Sequence, residues 1–189
     1  MGRLIVEQII TVDGYAQDAD GGIDFFQATD EIDALDQEQL AMLESVEAIV
    51  LGADTYRIFA EYWPTASPDD EPVAEPINRL AKHVVSNTLE SAPWGDGEIE
   101  IERGDGVESV RALKQRYSGD LIVWGSLTLV DSLLAAGLVD VLRLRIVPKL
   151  LGAGRGISPA TLGLTDLELT ASQVHPRGQV TLQYAVSPR

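Results

Sequence analysis

The chain has 189 residues, of which 45% are hydrophobic, and this apolar content supports a packed core and excludes an intrinsically disordered protein. The formal net charge of −16 argues against nucleic acid and anionic membranes as partners, and the absence of cysteine excludes disulfides and thiolate metal sites. Glu7 interrupts the first apolar run too early for a signal peptide and no run is long enough to span a membrane, so we expect one cytoplasmic domain over 1–189.

The acidic charge is concentrated in the first half of the chain. Residues 1–100 carry 22 acidic and 4 basic side chains, whereas residues 101–189 carry 8 acidic and 10 basic side chains. Solubility is a sufficient explanation for such a surface. An anionic ligand bound to the first half would nevertheless need nearby cations or backbone N–H donors.

Strand-like and helix-like patterns alternate along the chain, which favours an α/β layer fold. The predicted strands cover 4–12, 47–52, 83–87, 99–102, 121–124, a run beginning at Asp140, 166–175 and 178–186. The predicted helices cover 30–44, 54–63, 107–117 and 127–136, and the predicted loops include 67–76 and the glycine-rich 150–159. This order predicts a mixed sheet that closes with a C-terminal antiparallel hairpin.

The sequence turns sharply from a strand into a helix at Gly125-Ser126. The apolar run 121–124 stops there, and a helical pattern begins at Leu127. A helix N-terminus offers unpaired N–H groups to an anion, glycine allows close approach, and serine can cap the helix or donate to the anion. The turn therefore predicts an anion site, with an ordinary capped turn as the alternative.

Two other predicted strands end in small or polar residues. Gly52 precedes a helix that begins near Thr55, and a third strand ends at Ser86 and Asn87. If the sheet brings these ends to one edge, they form a rim that can hold a dinucleotide. The Rossmann glycine fingerprint is absent, because "GAGRG" (152–156) has the glycines but no helix pattern follows it, so we interpret it as a flexible loop.

Two aspartates are candidates for proton transfer. Asp13 closes the first strand in "TVDGY", and Asp24 stands beside two phenylalanines in "GGIDFF". A carboxyl group near aromatic rings can have its pKa raised by desolvation, which suits a proton donor, although a solvated loop carboxylate is the alternative. His83 and His175 have no companions at ligand spacing, so no metal site is predicted.

An ordered set of segments resembles the dihydrofolate reductase-like reductases. The set consists of "VDGY", "GGIDFF", "AIVLGADTY", "FAEYWP", "HVVSNTL" and "GDLIVWGSLTLVDSLLAAGLVDVLRLRIVPKLLGAGRGI". Within this family, the chain resembles stand-alone relatives of the C-terminal reductase domain of the bifunctional deaminase-reductase of riboflavin biosynthesis. The resemblance covers nearly the whole chain.

This resemblance implies a three-layer α/β/α fold around a mixed, mostly parallel sheet, in a homodimer. It implies hydride transfer from NADPH to a small heterocycle, which would be like 5-amino-6-(5-phosphoribosylamino)uracil or a pterin. It also implies that Asp24, before Asp13, assists protonation near the nicotinamide. By position, the cofactor-binding residues would be Gly52 and Thr55 along the cofactor, Ser86 and Asn87 at the 2′-phosphate, and Gly125, Ser126, Leu127 and Thr128 at the diphosphate.

Ala53 and Asn87 stand where members of the family often have basic residues. Two partners for the 2′-phosphate are therefore missing unless Arg57, Arg79 or Lys82 compensates, so NADH is a possible alternative cofactor. The loss of basic residues also leaves open a different function, that of a non-catalytic protein that binds a nucleotide or pterin and keeps the fold.

Overall fold

The computed structural model describes residues 1–26 and 33–187. Its strands are β1 (Leu4–Thr11), β2 (Tyr15–Gln17), β3 (Val46–Gly52), β4 (Ala81–Val85), β5 (Pro93–Trp94), β6 (Gly97–Glu98), β7 (Glu100–Glu102), β8 (Asp120–Trp124), β9 (Val141–Val147), β10 (Arg155–Gly156), β11 (Leu167–Val174) and β12 (Val180–Val186). Its α-helices are α1 (Asp33–Leu43), α2 (Ala53–Tyr62), α3 (Ala74–Arg79), α4 (Gly106–Arg116) and α5 (Leu127–Ala135).

Eight strands form the central sheet in the order β11-β12-β9-β1-β8-β3-β4-β7. The six strands from β9 to β7 are mutually parallel, whereas β12 pairs antiparallel with both β9 and β11. The central strands β3 and β8 are nearly continuous apolar runs because both of their faces are covered, and all five residues of β8 are buried. The predicted mixed, mostly parallel sheet with a C-terminal hairpin is confirmed.

Helices cover both faces of the sheet and give three layers. On one face, α4 and α5 pack through Val110, Leu113, Val130 and Leu133 against alternate residues of the strands. On the other face, the helices α1, α2 and α3 contribute Leu43, Tyr56 and Ile77 to a second core. Alternation within β1 shows the division, since Leu4 and Val6 enter the first core and Ile5 enters the second.

Two predicted loops contain regular structure. Helix α3 begins at Ala74, inside the predicted loop 67–76, because Ala74 and Ile77 are drawn into the core beneath it. The glycine-rich loop contains β10, which pairs antiparallel with β2. Two-residue strands have too little pattern to be recognised from sequence. The predicted start of the first helix at residue 30 lies outside the described residues.

Helices in the described parts of the chain have at most 11 residues, well short of the roughly 20 apolar residues that a membrane-spanning helix requires.

Candidate functional site

The carboxyl ends of β3 and β8 meet at one edge of the sheet and bring four predicted residues into contact. The Ser126 hydroxyl accepts a hydrogen bond from the Gly52 N–H at 2.6 Å and donates to the Thr55 hydroxyl at 3.0 Å. The Ser126 N–H donates to the same Thr55 oxygen at 2.9 Å. The predicted rim therefore exists at these two strands, and Gly52, Thr55, Gly125 and Ser126 form one cluster, which we call the β3–β8 cluster.

Both glycines of this cluster are required by close packing. A Cβ on Gly125 would lie 2.7 Å from the Thr55 hydroxyl, and a Cβ on Gly52 would lie 2.8 Å from the Ser126 hydroxyl. Gly125 and Ser126 also have left-handed backbones, with φ values of 59° and 54°. Only glycine adopts this conformation freely, so Ser126 is held in it by its hydrogen bonds.

Helix α5 begins without a side-chain cap. The Ser126 hydroxyl is directed at Gly52 and Thr55, so it makes no capping hydrogen bond to the first turn. The N–H groups of Leu127 and Thr128 therefore stand at the positive end of the helix without this usual partner. Leu127 is buried and Thr128 is exposed, so the turn is anchored in the core and open to solvent on its outer side. Such a terminus is suited to bind an anion.

The third predicted strand end has a different geometry. The Ser86 hydroxyl accepts hydrogen bonds from the N–H groups of Thr88 and Leu89 at 3.2 and 3.1 Å. Asn87 donates to the Gly104 carbonyl at 2.9 Å and accepts from the Gly104 N–H at 2.6 Å. Both side chains thus stabilise the turn after β4 and the adjacent end of β7. The Asn87 amide is engaged at both ends, which leaves little capacity for a phosphate.

The cations proposed to compensate for Ala53 and Asn87 are not equivalent. Lys82 lies near the beginning of β4, at the opposite end from Ser86, and donates to the Asn78 and Leu80 carbonyls at 2.9 and 2.7 Å. Burial lowers the pKa of Lys82 to about 8. Arg79 precedes β4 and lies at that same opposite end. Neither residue is placed to reach the rim.

Two arginines do stand at the carboxyl ends of the strands. Arg57, in the first half of α2, forms an exposed pair with Asp54 at 2.5 Å. Arg103 follows β7, and its guanidinium donates to the Leu89 carbonyl at 2.7 Å, beside the turn that contains Ser86. Sequence reasoning missed Arg103, and the signal that could have found it is its position immediately after a short edge strand.

Asp13 is a hydrogen-bond acceptor for the glycine-rich loop. Its carboxylate accepts from the Gly152 N–H at 2.7 Å, from the Leu151 N–H at 3.1 Å and from the Thr11 hydroxyl at 2.6 Å. These hydrogen bonds, that of Thr11 foremost, lower the pKa of Asp13. The carboxylate is thereby favoured in its charged form.

The same loop contains Arg155, whose side chain lies beside the beginning of α5. Its guanidinium lies 2.8 Å from Asp131 Oδ2 and 3.4 Å from the Thr128 hydroxyl. The sequence interpretation of 152–156 as a flexible loop missed this residue, because the pairing of β10 with β2 joins segments about 140 residues apart.

Asp24 lies in a turn after β2, and its side chain is exposed. The neighbouring Phe25 is buried, and Lys149 donates to the Phe25 carbonyl at 2.7 Å, which anchors the turn to the end of β9. Among the described residues, no hydrogen bond or ion pair joins Asp24 to the β3–β8 cluster. Its role as a proton donor remains a prediction.

A buried carboxylate that the sequence did not single out lies beneath α1. Glu7 is 3% exposed and accepts hydrogen bonds from the Trp124 indole at 2.9 Å, from Gln39 at 3.1 Å and from Arg143 at 2.5 Å. These contacts compensate its charge and fix Trp124, the residue before Gly125. The position of the turn after β8 therefore depends on a polar network between the sheet and α1.

One group with the composition of a metal site occurs in the described residues, at the distant β4–β7 edge. It consists of His83, Glu100 and Glu102. His83 Nδ1 lies 2.9 Å from Glu102, and Nε2 lies 2.8 Å from the Tyr117 hydroxyl, so both ring nitrogens have protein partners. Burial lowers the pKa of His83 and favours a neutral imidazole. Hydrogen bonding accounts for this group, and the absence of a metal remains a prediction.

Comparisons with known proteins agree with this fold. The family model of the RibD C-terminal domain matches residues 3–181. The uncharacterized protein YyaP of Bacillus subtilis is 23% identical over 184 residues, which are 96% of this chain and 94% of that protein. A solved putative riboflavin biosynthesis protein from Shewanella sp. PV-4 superposes with a TM-score of 0.78, at 20% identity, over 98% of this chain and 99% of that one.

Two further structures share the fold at lower identity. Dihydrofolate reductase from Enterococcus faecalis, complexed with NADP(H), has a TM-score of 0.64 at 13% identity and covers 98% of this chain and 97% of its own. A diaminohydroxyphosphoribosylaminopyrimidine deaminase/5-amino-6-(5-phosphoribosylamino)uracil reductase from Thermotoga maritima has a TM-score of 0.67 at 15% identity. That match covers 98% of this chain and 57% of the larger protein.

Proposed function

The chain belongs to the RibD C-terminal domain family, and we propose that it is a pyridine-nucleotide-dependent reductase that transfers a hydride from NADPH to a small heterocycle. The observation that supports this most strongly is the β3–β8 cluster, in which the uncapped N-terminus of α5 lies next to two closely packed glycines. The solved dihydrofolate reductase with the same fold was complexed with NADP(H).

The residues at this edge fit the chemistry of a dinucleotide. The N–H groups of Leu127 and Thr128, at the positive end of α5, would hold the diphosphate, and Gly125 permits its close approach. Gly52, at the end of the neighbouring strand β3, and Thr55, in the first turn of α2, would lie along the cofactor. When bound, the nicotinamide would supply the hydride, and the protein would orient it and exclude water.

Recognition of the 2′-phosphate would fall mainly to arginines. Ser86 and Asn87 border the expected position, but Ser86 is hydrogen-bonded within its own turn and Asn87 is hydrogen-bonded to Gly104 after β7. Arg103 and Arg57 stand at the same end of the sheet with exposed guanidinium groups. NADH therefore remains an alternative donor in this proposal, with a modest preference for NADPH.

The heterocycle would accept the hydride and a proton. We assign the proton to Asp24, with Asp13 as the second candidate. An exposed carboxyl group can fill this role if the bound substrate excludes water from it. A pyrimidine such as 5-amino-6-(5-phosphoribosylamino)uracil, named for the Thermotoga maritima relative, or a pterin would be the substrate class.

We also propose a homodimer that forms through β11. This strand is at the edge of the sheet, and all eight of its residues are exposed, including Leu167, Leu169 and Val174. A long, exposed edge is a template for pairing with a second chain. Light scattering of the wild type and of Leu169→Lys tests this, because the variant should be monomeric.

Thermal unfolding with NADPH, NADH and folates added separately tests the proposed function against its rival. A ligand at about 100 times its Kd stabilises the native state by roughly 2.7 kcal/mol, which is readily measured. Stabilisation by NADPH supports the dinucleotide site that the reductase requires, and NADPH oxidation with a pyrimidine or pterin added then separates the reductase from a non-catalytic nucleotide-binding protein. Stabilisation by a folate without any effect of either nucleotide supports a non-catalytic pterin-binding protein.

A further inference from the structure

We propose that Arg155 binds the cofactor's diphosphate and that Asp13 is a positioning residue that holds Arg155 in place. This assignment rests on the proposed function, since it adds a cation to the site where a dinucleotide would bind. It gives a role to the glycine-rich segment 152–156, and it gives Asp13 a role other than proton transfer.

The need for a cation follows from the charge of the chain. Residues 1–100, which supply the β3 side of the rim, carry 22 acidic and 4 basic side chains. Backbone N–H groups at the start of α5 offer only partial positive charge. Arg155 comes from the other half of the chain and places its guanidinium 3.4 Å from the Thr128 hydroxyl, where it compensates the negative charge of Asp131 at 2.8 Å. Its remaining N–H donors can bind an anion at the position where the diphosphate would lie.

The guanidinium is positioned but not saturated. Arginine has five N–H donors in a planar fork. One terminal nitrogen contacts Asp131 at 2.8 Å and the other contacts Thr128 at 3.4 Å. Arg155 is 41% exposed, so its remaining donors are accessible from solvent. A phosphate can be bound by such a fork without breaking the contact that holds it.

The loop that carries Arg155 is held at three points. Asp13 accepts hydrogen bonds from Leu151 and Gly152, and β10 pairs with β2 through Arg155 and Gln17. Gly154 packs so closely that a Cβ there would lie 2.1 Å from the Gln17 carbonyl oxygen. Two residues separate Gly152 from Arg155. Loss of the Asp13 contacts would therefore release the backbone that positions the guanidinium.

The alternative is that Arg155 only forms a structural ion pair with Asp131. Measurements of cofactor binding distinguish this alternative from a diphosphate-binding role. We would measure Kd for NADPH and for NADH in the wild type, Arg155→Gln, Arg155→Lys and Arg111→Gln. Arg111 is the matched control, because it forms an exposed pair with Glu108 on α4 and its loss changes the net charge equally. Urea unfolding of each variant verifies that it is folded.

Arg155→Gln should weaken both cofactors by the same factor, about 10- to 100-fold, because both contain the diphosphate and a charge-assisted hydrogen bond is lost. Arg155→Lys should recover part of the affinity, and Arg111→Gln should match the wild type. Affinities within about twofold of wild type in Arg155→Gln would overturn the assignment. A loss confined to NADPH would overturn it as well, since it would place Arg155 at the 2′-phosphate.

The role of Asp13 is tested by a double-mutant cycle. Asp13→Asn should weaken both cofactors, and Asp13→Asn combined with Arg155→Gln should be no weaker than Arg155→Gln alone, because Asp13 acts through Arg155. Additive losses would refute the positioning role. A wild type that binds neither cofactor would instead refute the proposed function, and both assignments with it.

Discussion

Ser126 and Gly52 lie 74 residues apart in the chain, and the Ser126 hydroxyl accepts a 2.6 Å hydrogen bond from the Gly52 N–H. This contact joins the ends of β3 and β8 and diverts the serine from capping α5. Ser126, whose position in the sequence predicts a helix cap, instead connects two strands, and α5 begins without a side-chain cap.

Ser126→Ala should destabilise the protein by about 1–2 kcal/mol, because it leaves the Gly52 N–H without its acceptor. Alanine and serine are equally disfavoured in the left-handed conformation at φ 54°, so the change in stability reports on the lost hydroxyl hydrogen bonds. Urea unfolding measures the loss. Ser132→Ala, on the exposed side of α5, is the control and should be nearly neutral. Equal stability of the two variants would contradict the structural role of Ser126.

Gly125→Ala should cost stability and cofactor affinity together. The new Cβ would lie 2.7 Å from the Thr55 hydroxyl on a backbone with φ 59°, and the combined strain is expected to be about 1–3 kcal/mol. Thr55→Ala added to this variant should restore part of the stability by removing the clash. If the double variant were less stable than either single variant, this packing explanation would be wrong.

The sheet could be predicted from sequence because buried parallel strands are continuous apolar runs, as in 121–124. The rim was also predictable, because Gly52 and Gly125 each end such a run before a helix. The partners that individual side chains contact could not be predicted from the sequence. Nothing local to Asn87 indicates that its amide is engaged by Gly104, and nothing local to Arg155 indicates that β10 pairs with β2, because both contacts depend on chain segments brought together by the fold.

Preference for NADPH over NADH should be about 10-fold or less, equivalent to roughly 1.4 kcal/mol. Ser86 is engaged within its own turn and Asn87 by Gly104 after β7, so the 2′-phosphate would depend on exposed arginines. Arg103→Gln should bring the two Kd values close to each other without changing that of NADH. A wild-type preference of about a thousandfold would show that the recognition of the 2′-phosphate is misassigned.

Asp24→Asn should lower turnover by about 10²- to 10⁴-fold if this carboxyl supplies the proton, while cofactor affinity stays the same. Asp20→Asn, in the same exposed segment, is the matched control and should retain full turnover. The comparison uses steady-state reduction of a pyrimidine or pterin that the wild type accepts. An Asp24→Asn enzyme as active as the control would transfer the role to Asp13 or to water.

Stability should fall as the pH falls below about 6.5, partly because of His83. Burial lowers the pKa of His83 in the folded state, so the unfolded chain binds a proton that the folded chain does not. His83 has no such effect well above the unfolded pKa, where both states are neutral. Urea unfolding at pH 7 and pH 5 should show a smaller difference for His83→Gln than for wild type. An identical difference would show that His83 does not contribute.

The most direct test of a dinucleotide site at the β3–β8 cluster is a crystal structure of the chain grown with NADPH. The diphosphate should lie within hydrogen-bonding distance of the Leu127 and Thr128 N–H groups, with the Arg155 guanidinium beside it. A nucleotide bound elsewhere on the protein, or none at saturating concentration, would contradict it.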